Sequence, residues 1–434
     1  MKHSTWYVNH SRFNGGSTVR TLARVTLLLA IASVAMVVVT ASASAAQTTE
    51  QYIYGGGSDT TEWMMQGLGS LYADAPGCNQ LHSPQPLDGS CPNSATENPA
   101  DFTNYFHDVP VQRYFVGSSG GINDLCQTGL SGVAFENFAR SSRVPLPASA
   151  GGSDCSGLHF VGYARDGITW ECFPTVSGSG CKSLVSGTNS LTTVQLKDIF
   201  VNCTVTNWDQ IGGSNVPIDV YVPQANSGSG ITWAAAMGVT LAAGQTLDQC
   251  IPSPHNTNPG QPGSWISPEN TNSLIVTNGD QANVIFPFSV GVYHHTYGLT
   301  AFSCPLPSSN PVCDGSSLGA INGKKPTNTL ILNGKFPVGR YLFNVYCAAS
   351  GGCGGAAAAP AYVTNFVGEQ GFLCKDESAF PSGVGGLDPF TGKPYRSAPV
   401  SGNPAGEIPS TITSFGFVPL NKQSDGTYCV TFTT

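Results

Sequence analysis

An α/β fold of two domains, with a ligand site at the ends of sheet strands, is what this 434-residue chain predicts. Three stretches carry that expectation. In the first, a short β-type run (Tyr114, Phe115, Val116) feeds the turn GSSGG at Gly117–Gly121, which opens a helix pattern with Ile122, Leu125 and Cys126 on one face. In the second, Gln51–Thr61 runs from an aromatic and β-branched strand through three glycines into a helix whose Met64, Met65, Leu68, Leu71 and Tyr72 share a face. The third, Ile218–Trp233, repeats the pattern with Ser227, Gly228, Ser229 and Gly230. Glycine lets a backbone approach a ligand closely, and the first N–H groups of a helix lack internal partners, so each turn is suited to an anion. Three such turns point to a common site at the carboxyl ends of sheet strands. Ordinary αβ turns capped by serine would give the same local pattern.

Composition agrees with a folded, exported chain. It is 40% hydrophobic, only 10% charged and contains 52 glycines, enough apolar content for two cores. Lys2, Arg12, Arg20 and Arg24 precede an uncharged apolar run, Val25–Thr40, followed by ASASAAQ. That is the order of a secretory signal with cleavage near Ala46, so residues 1–46 are expected to be removed. Sixteen apolar residues are short for a membrane span. No cysteine follows the run directly, so no lipid anchor is expected, and the mature chain is read as secreted or periplasmic without stable membrane insertion. Cleavage takes four of the 18 basic residues and none of the 26 acidic ones, so the mature net charge is 14 minus 26, or −12. A basic footprint for nucleic acid is absent.

All 14 cysteines follow the signal, an even number in an exported chain, which reads as a disulfide framework. Their order favours local bridges: Cys78–Cys91, Cys126–Cys155, Cys172–Cys181, Cys203–Cys250, Cys304–Cys313, Cys347–Cys353 and Cys374–Cys429. There is no C-x-x-C, and the histidines are not spaced as ligands, so no metal and no cofactor are expected. His294 and His295 read as neighbours on a strand, pointing to opposite faces. Leu191–Phe200 signals a helix capped by Thr192 or Thr193, with Leu196, Ile199 and Phe200 buried, and Trp208 reads as packing. Ala361–Phe372 is a further helix candidate, and residues 73–110 and 376–412 read as long turn-rich loops.

The motifs resemble those of the phosphate-binding proteins of ABC transporters, a group within the type 2 periplasmic binding proteins. GGGSDTT at Gly55–Thr61 and GSSGGI at Gly117–Ile122 look like that family's first two anion-binding turns. LTTVQLKDIFVNCTVTNWDQIGG (Leu191–Gly213) is similar to its long LT-x-x-QL…NW-x-x-IGG stretch, and SGSG at Ser227–Gly230 sits where its third turn falls. KFPVGRYLFNVY (Lys335–Tyr346) and FGFVPL (Phe415–Leu420) resemble its late strands. The resemblance implies a two-lobed fold with a two-crossover hinge, residues 47–162 and 290–434 forming one lobe and 163–289 the other. Gly157–Trp170 and Asn283–Tyr293 would be the crossings. It implies a monomeric carrier that closes on phosphate or a similar oxyanion and hands it to an ABC permease. The implied ligand set is Asp59, Thr60, Thr61, Ser118, Ser119, Arg140, Ser142, Ser229 and Gly230. Two positions depart from the family pattern. FARSS at Phe138–Ser142 puts Ser142 where an aspartate is expected, and YVPQANS before the third turn lacks the expected arginine.

Gly117–Gly121 also satisfies G-x-S-x-G, so a secreted serine hydrolase with Ser119 as nucleophile is the competing reading; Asp280 with His294 or His295 would have to complete it. A secreted binding module unconnected with transport is a further alternative. Arg140, Arg143 and Arg165 are the cations near the anchor motifs, each able to meet a ligand or to pair with Asp166 or Glu136.

Overall fold

Nine strands form one sheet among the described residues. They are β1 (Gly55–Gly57), β2 (Phe138–Ser141), β3 (Leu158–Cys172), β4 (Asp219–Val220), β5 (Val284–Ser289), β6 (Ser317–Leu318), β7 (Gly339–Cys347), β8 (Val418–Pro419) and β9 (Val430–Thr433). The spatial order is β1-β2-β7-β3-β5-β4, with β6, β8 and β9 also pairing with β3. β1 runs parallel to β2, β4 parallel to β5, and β7 antiparallel to both β2 and β3. β3 is the axis. Its first part, through Gly167, pairs with β7, and its last part, from Ile168, pairs with β5 and β6.

This is a computed structural model, and it describes residues 55–74, 117–126, 137–146, 154–185, 190–252, 255–267, 271–298, 302–304, 312–355, 357–375, 394–400 and 403–434. All belong to one unit, Glu50–Thr434. The expected signal segment, the strand at 114–116, the loop at 75–110 and the Cys78–Cys91 bridge lie outside the described residues.

Side-chain alternation along β3 and β7 puts two cores on opposite faces of the sheet. Val161, Tyr163 and Leu342 join Met64, Met65 and Leu68 of α1 (Glu62–Asp74) on one face. Phe160, Phe343 and Val345 join Ile122 and Leu125 of α2 (Gly117–Cys126) on the other. A third and larger core surrounds the far part of β3 and β5, with α3 (Thr193–Phe200), α4 (Gly228–Ala236) and α5 (Ser273–Asn278) contributing Leu196, Ile199, Trp233 and Ile275. Thr192 closes a capping box with Gln195 at the start of α3, and Trp208 is fully buried there, its indole donating to Asn283 O at 3.0 Å. Six disulfides, Cys126–Cys155, Cys172–Cys181, Cys203–Cys250, Cys304–Cys313, Cys347–Cys353 and Cys374–Cys429, join the pairs that cysteine order favoured.

Several elements differ from the sequence reading. Gly55–Gly57 is itself a strand, because only hydrogen at Gly55 and Gly57 leaves space for the Phe138 ring and the Arg140 carbonyl of the adjoining β2. Gly117–Gly121 is already the first turn of α2, with Gly117 at φ 68°. The return strand stops at Ser289, whose hydroxyl accepts from Val292 N and so starts α6 (Val290–Tyr297); His294 and His295 are therefore helical. α7 (Ala361–Val367) ends at Gly368, short of Phe372. The segment read as loop to residue 412 contains strands Ser397–Val400 and Asn403–Ala405 and the start of α8 (Glu407–Ser414).

β4 carries a titrating group with a stability consequence. Burial, and then the nearby Asp280, push the Asp219 carboxyl up to about 6 from its usual 3.8. The folded protein therefore holds a proton that the unfolded chain has released across the pH 4–6 window, so this group's contribution to stability falls as pH rises through that window and is constant above it. Asp219→Asn should flatten the pH 4–6 part of a urea-midpoint profile and raise the midpoint at pH 7 relative to wild type.

Candidate functional site

Four segments meet where β1, β2 and β7 approach α4. After β1, the chain turns through Ser58 into a 3-10 turn, Asp59–Thr61, that leads into α1. After β2 come Ser142 and Arg143; α2 brings Ser118 and Ser119; α4 brings Ser229 behind its cap Ser227, whose hydroxyl accepts from Gly230 N at 3.0 Å. The positive ends of a 3-10 turn and two helices thus face one region. Gly228 permits the approach, since a Cβ there would collide with the hydroxyls of Ser118 and Ser142.

The hydroxyls form a buried cluster. Ser58 donates to Ser142 Oγ at 3.0 Å, Ser118 and Ser142 hydroxyls lie 3.2 Å apart, and Ser142 N donates to Ser118 Oγ at 2.9 Å. Thr60 and Ser229 hydroxyls are 3.5 Å apart. Ser58, Ser118, Ser142 and Ser229 are each at most 1% exposed.

Arg340 of β7 binds this cluster together. Its Nη1 donates to Ser229 Oγ at 2.8 Å and to Ser142 O at 3.2 Å, and its Nη2 reaches Thr60 Oγ1 at 3.4 Å. The same guanidinium forks onto Asp166 Oδ2 through Nε at 3.1 Å and Nη2 at 2.7 Å. Ser289 also donates to Asp166 Oδ2, at 2.8 Å, while Gly167 N and Gly291 N donate to Oδ1 at 2.8 and 3.0 Å. His294 of α6 lies within the electrostatic reach of Asp166, but burial pushes the imidazole down from its usual value against that charge.

Of the residues expected from sequence, Thr60, Ser118, Ser142 and Ser229 come together in this cluster. Asp59 stands at its edge. Ser58, not Asp59, occupies the N-cap position, and the Asp59 carboxylate accepts from Gln224 Nε2 at 3.0 Å. Thr61 turns its hydroxyl back to Ser58 O at 3.4 Å. Ser119 Oγ accepts from Arg143 Nε at 2.9 Å, and Ser119 N donates to Asn226 O at 3.1 Å. Gly230 N is taken by the Ser227 cap. Arg140 meets the cluster only through its backbone carbonyl, which accepts from Ser58 N at 2.9 Å; its side chain belongs to the face of β2 that also carries Phe138.

The arginine pairings differ from those considered from sequence. Arg143 forks onto Asp154 at 2.7 and 2.9 Å, and Arg165 stacks over Tyr341 at 4.4 Å while donating to Leu332 O. Asp166 belongs to Arg340. Sequence reasoning missed Arg340, and the signal for it is a register pair, Arg340 opposite Asp166 on antiparallel strands. Beside Asp59 and Thr60 opens a pocket of about 190 Å³, also lined by Trp63, His295, Phe415 and Phe417. Asp280, the acid proposed for a hydrolase, instead accepts from Tyr221 OH at 2.6 Å.

These features are a mixed α/β fold with a buried, arginine-anchored hydroxyl cluster at strand and helix ends. Residues 93–279 match the model of a PBP superfamily domain. Among solved structures, it is similar to an ABC-type phosphate transport receptor from Vibrio cholerae (18% identity over 68% of this chain and 87% of that one, TM-score 0.38). It is also similar to a putative phosphate ABC transporter substrate-binding protein with bound phosphate from Clostridium perfringens (19%, 68% and 85%, TM-score 0.39) and to PstS from Borrelia burgdorferi (15%, 86% and 100%, TM-score 0.40). No curated protein matches the chain. No described helix is long and apolar enough to cross a membrane.

The Arg340–Asp166 pair offers a direct test of what holds the cluster. Both side chains are at most 2% exposed, so removing one partner strands the other's charge. Asp166→Leu should cost about 3–5 kcal/mol in urea denaturation. Adding Arg340→Met should restore a good part of that loss, and a double variant no more stable than Asp166→Leu alone would refute the pairing as the source.

Proposed function

We propose that the chain is an exported solute-binding protein that captures a small tetrahedral oxyanion, phosphate first, at the Thr60, Ser118, Ser142, Ser229 and Arg340 cluster. The observation that carries this reading is the convergence of two helix N-termini and a 3-10 turn on hydroxyls anchored by one buried guanidinium. Hydroxyls are donors that can turn to an anion's oxygens, helix-terminal N–H groups point toward the same region, and Arg340 Nη1, the edge not taken up by Asp166, adds a charged donor. The self-pairing of these hydroxyls at 3.0–3.5 Å involves neutral bonds that an anion would replace with charge-assisted ones.

The segment 224–232 meets the other three segments through Gln224–Asp59, Asn226–Ser119, Ser229–Thr60 and Thr232–Ser142 contacts. We read these as the closed faces of two lobes, residues 47–162 with 290–434 and residues 163–289, that separate when ligand enters. Delivery to an ABC permease belongs to the same proposal and rests on the sequence resemblance, and the cysteine framework and signal-like segment suit a secreted or periplasmic chain. Binding, not catalysis, is the reading for Ser119, because its hydroxyl accepts from Arg143 and, among the described residues, bonds to no imidazole.

Phosphate at neutral pH carries a proton that needs an acceptor, whereas sulfate does not. Asp166 is saturated by five donors, so our reading gives the acceptor role to Asp59, at the edge of the cluster. Titration calorimetry should give phosphate binding that exceeds sulfate binding for the wild type. Asp59→Asn should remove that preference, and Ser229→Ala should weaken phosphate by roughly 10-fold, the scale of one hydrogen bond to a charged group. A wild-type protein silent to both anions would sink the proposal.

A further inference from the structure

Arg140 is 6% exposed, and no described carboxylate pairs with it. Its Nε has no hydrogen-bond partner. On β2 it shares a face with Phe138, so it points away from the α2 side and toward the core under α1. Its register partner on β7 is Asn344, whose amide nitrogen and oxygen are both unpartnered at 0% exposure. Asn344 is paired in turn with Val161 of β3. Two residues further along β3 is Tyr163, on the same core face and again fully buried; its hydroxyl lies near the Thr61 side chain but outside good hydrogen-bond geometry with it. Burial pushes this phenol far up, against the opposing charge of Arg140 and the nearby Thr61 hydroxyl, so it stays a protonated donor.

Three neighbouring strands therefore turn a guanidinium, a carboxamide and a phenol to one face of the sheet, each with an unmatched polar atom. Buried dipoles need partners, and a buried cation needs an anion as well. Water would answer the first need but not the second. We propose that Arg140, Asn344 and Tyr163 form a second site, separate from the hydroxyl cluster, that holds a small monovalent inorganic anion of the halide class. One positive charge matches one negative charge. A phosphate or sulfate dianion would leave a charge uncompensated in the core.

The test is a halide titration of the full mature chain. Protein exchanged into gluconate buffer is melted with added chloride or bromide at constant ionic strength, and crystals grown with bromide are measured at the bromine edge. We expect a saturable rise in melting temperature with chloride and bromide but not gluconate, and an anomalous peak within hydrogen-bond distance of Arg140 and Asn344. Arg140→Met should remove the halide dependence; should that variant not fold, Tyr163→Phe should weaken the dependence by shifting its midpoint several-fold. A melting temperature indifferent to halide, ordered water in place of the peak, or a bromide peak confined to Arg340 and Ser229 would overturn the proposal. Phosphate titration of the same wild-type samples reads the hydroxyl cluster independently.

Discussion

The buried pair between Asp166 and Arg340 is the constraint on which the site depends. An ion pair taken out of water repays its desolvation only when every remaining donor and acceptor is satisfied. Asp166 meets that condition. It takes two backbone N–H groups on one oxygen, and a serine hydroxyl with two guanidinium nitrogens on the other. Because Gly291 N and Ser289 belong to the start of α6 while Arg340 belongs to β7, one carboxylate fixes a helix end and an arginine together. Arg340 then passes the constraint on to Thr60, Ser142 and Ser229, which come from three distant parts of the chain.

The remaining arginines in the neighbourhood divide by how they are compensated. Arg143 is neutralised by Asp154, whose Oδ2 also accepts from Leu146 N, so this pair pins the segment after β2 and orients Ser119. Arg165 keeps its charge toward a tyrosine face and a carbonyl, away from the cluster. Arg140 alone among these lies buried without a described carboxylate. The local chemistry is thus built of neutral pairs and hydroxyls, with a single buried cation standing apart.

Much of this arrangement was legible in the sequence wherever the cause is local. Glycine and serine after apolar runs marked the three segments that meet, and Thr192 with Gln195 marked the start of α3. Short cysteine separations marked six bridges, since a loop of 6 to 55 residues closes more readily than one crossing the chain. What depends on register was not legible. Arg340 faces Asp166 across 174 positions, and nothing local to either residue announces the other. The side of β2 on which Arg140 lies follows from one-residue alternation, where an error of one position exchanges core for cleft. The strand character of Gly55–Gly57 likewise depends on how closely Phe138 and Arg140 press from the next strand.

Under the proposed function, the charge pattern decides how the cluster would attract an anion at all. The chain's net charge is −8, and the long-range field therefore opposes an incoming anion. The Arg340–Asp166 pair contributes direction and hydrogen bonds but no net charge. Attraction must then come at short range, from the ends of α2, α4 and the 3-10 turn, each a partial positive charge of up to about 2 kcal/mol effect where partly buried. Forces of that reach act only when the hydroxyl cluster surrounds the ligand. Selection in such a site is therefore by shape and by matching of donors to acceptors, and added salt should disturb it far less than it disturbs a site that gathers its ligand through an excess of exposed lysine and arginine.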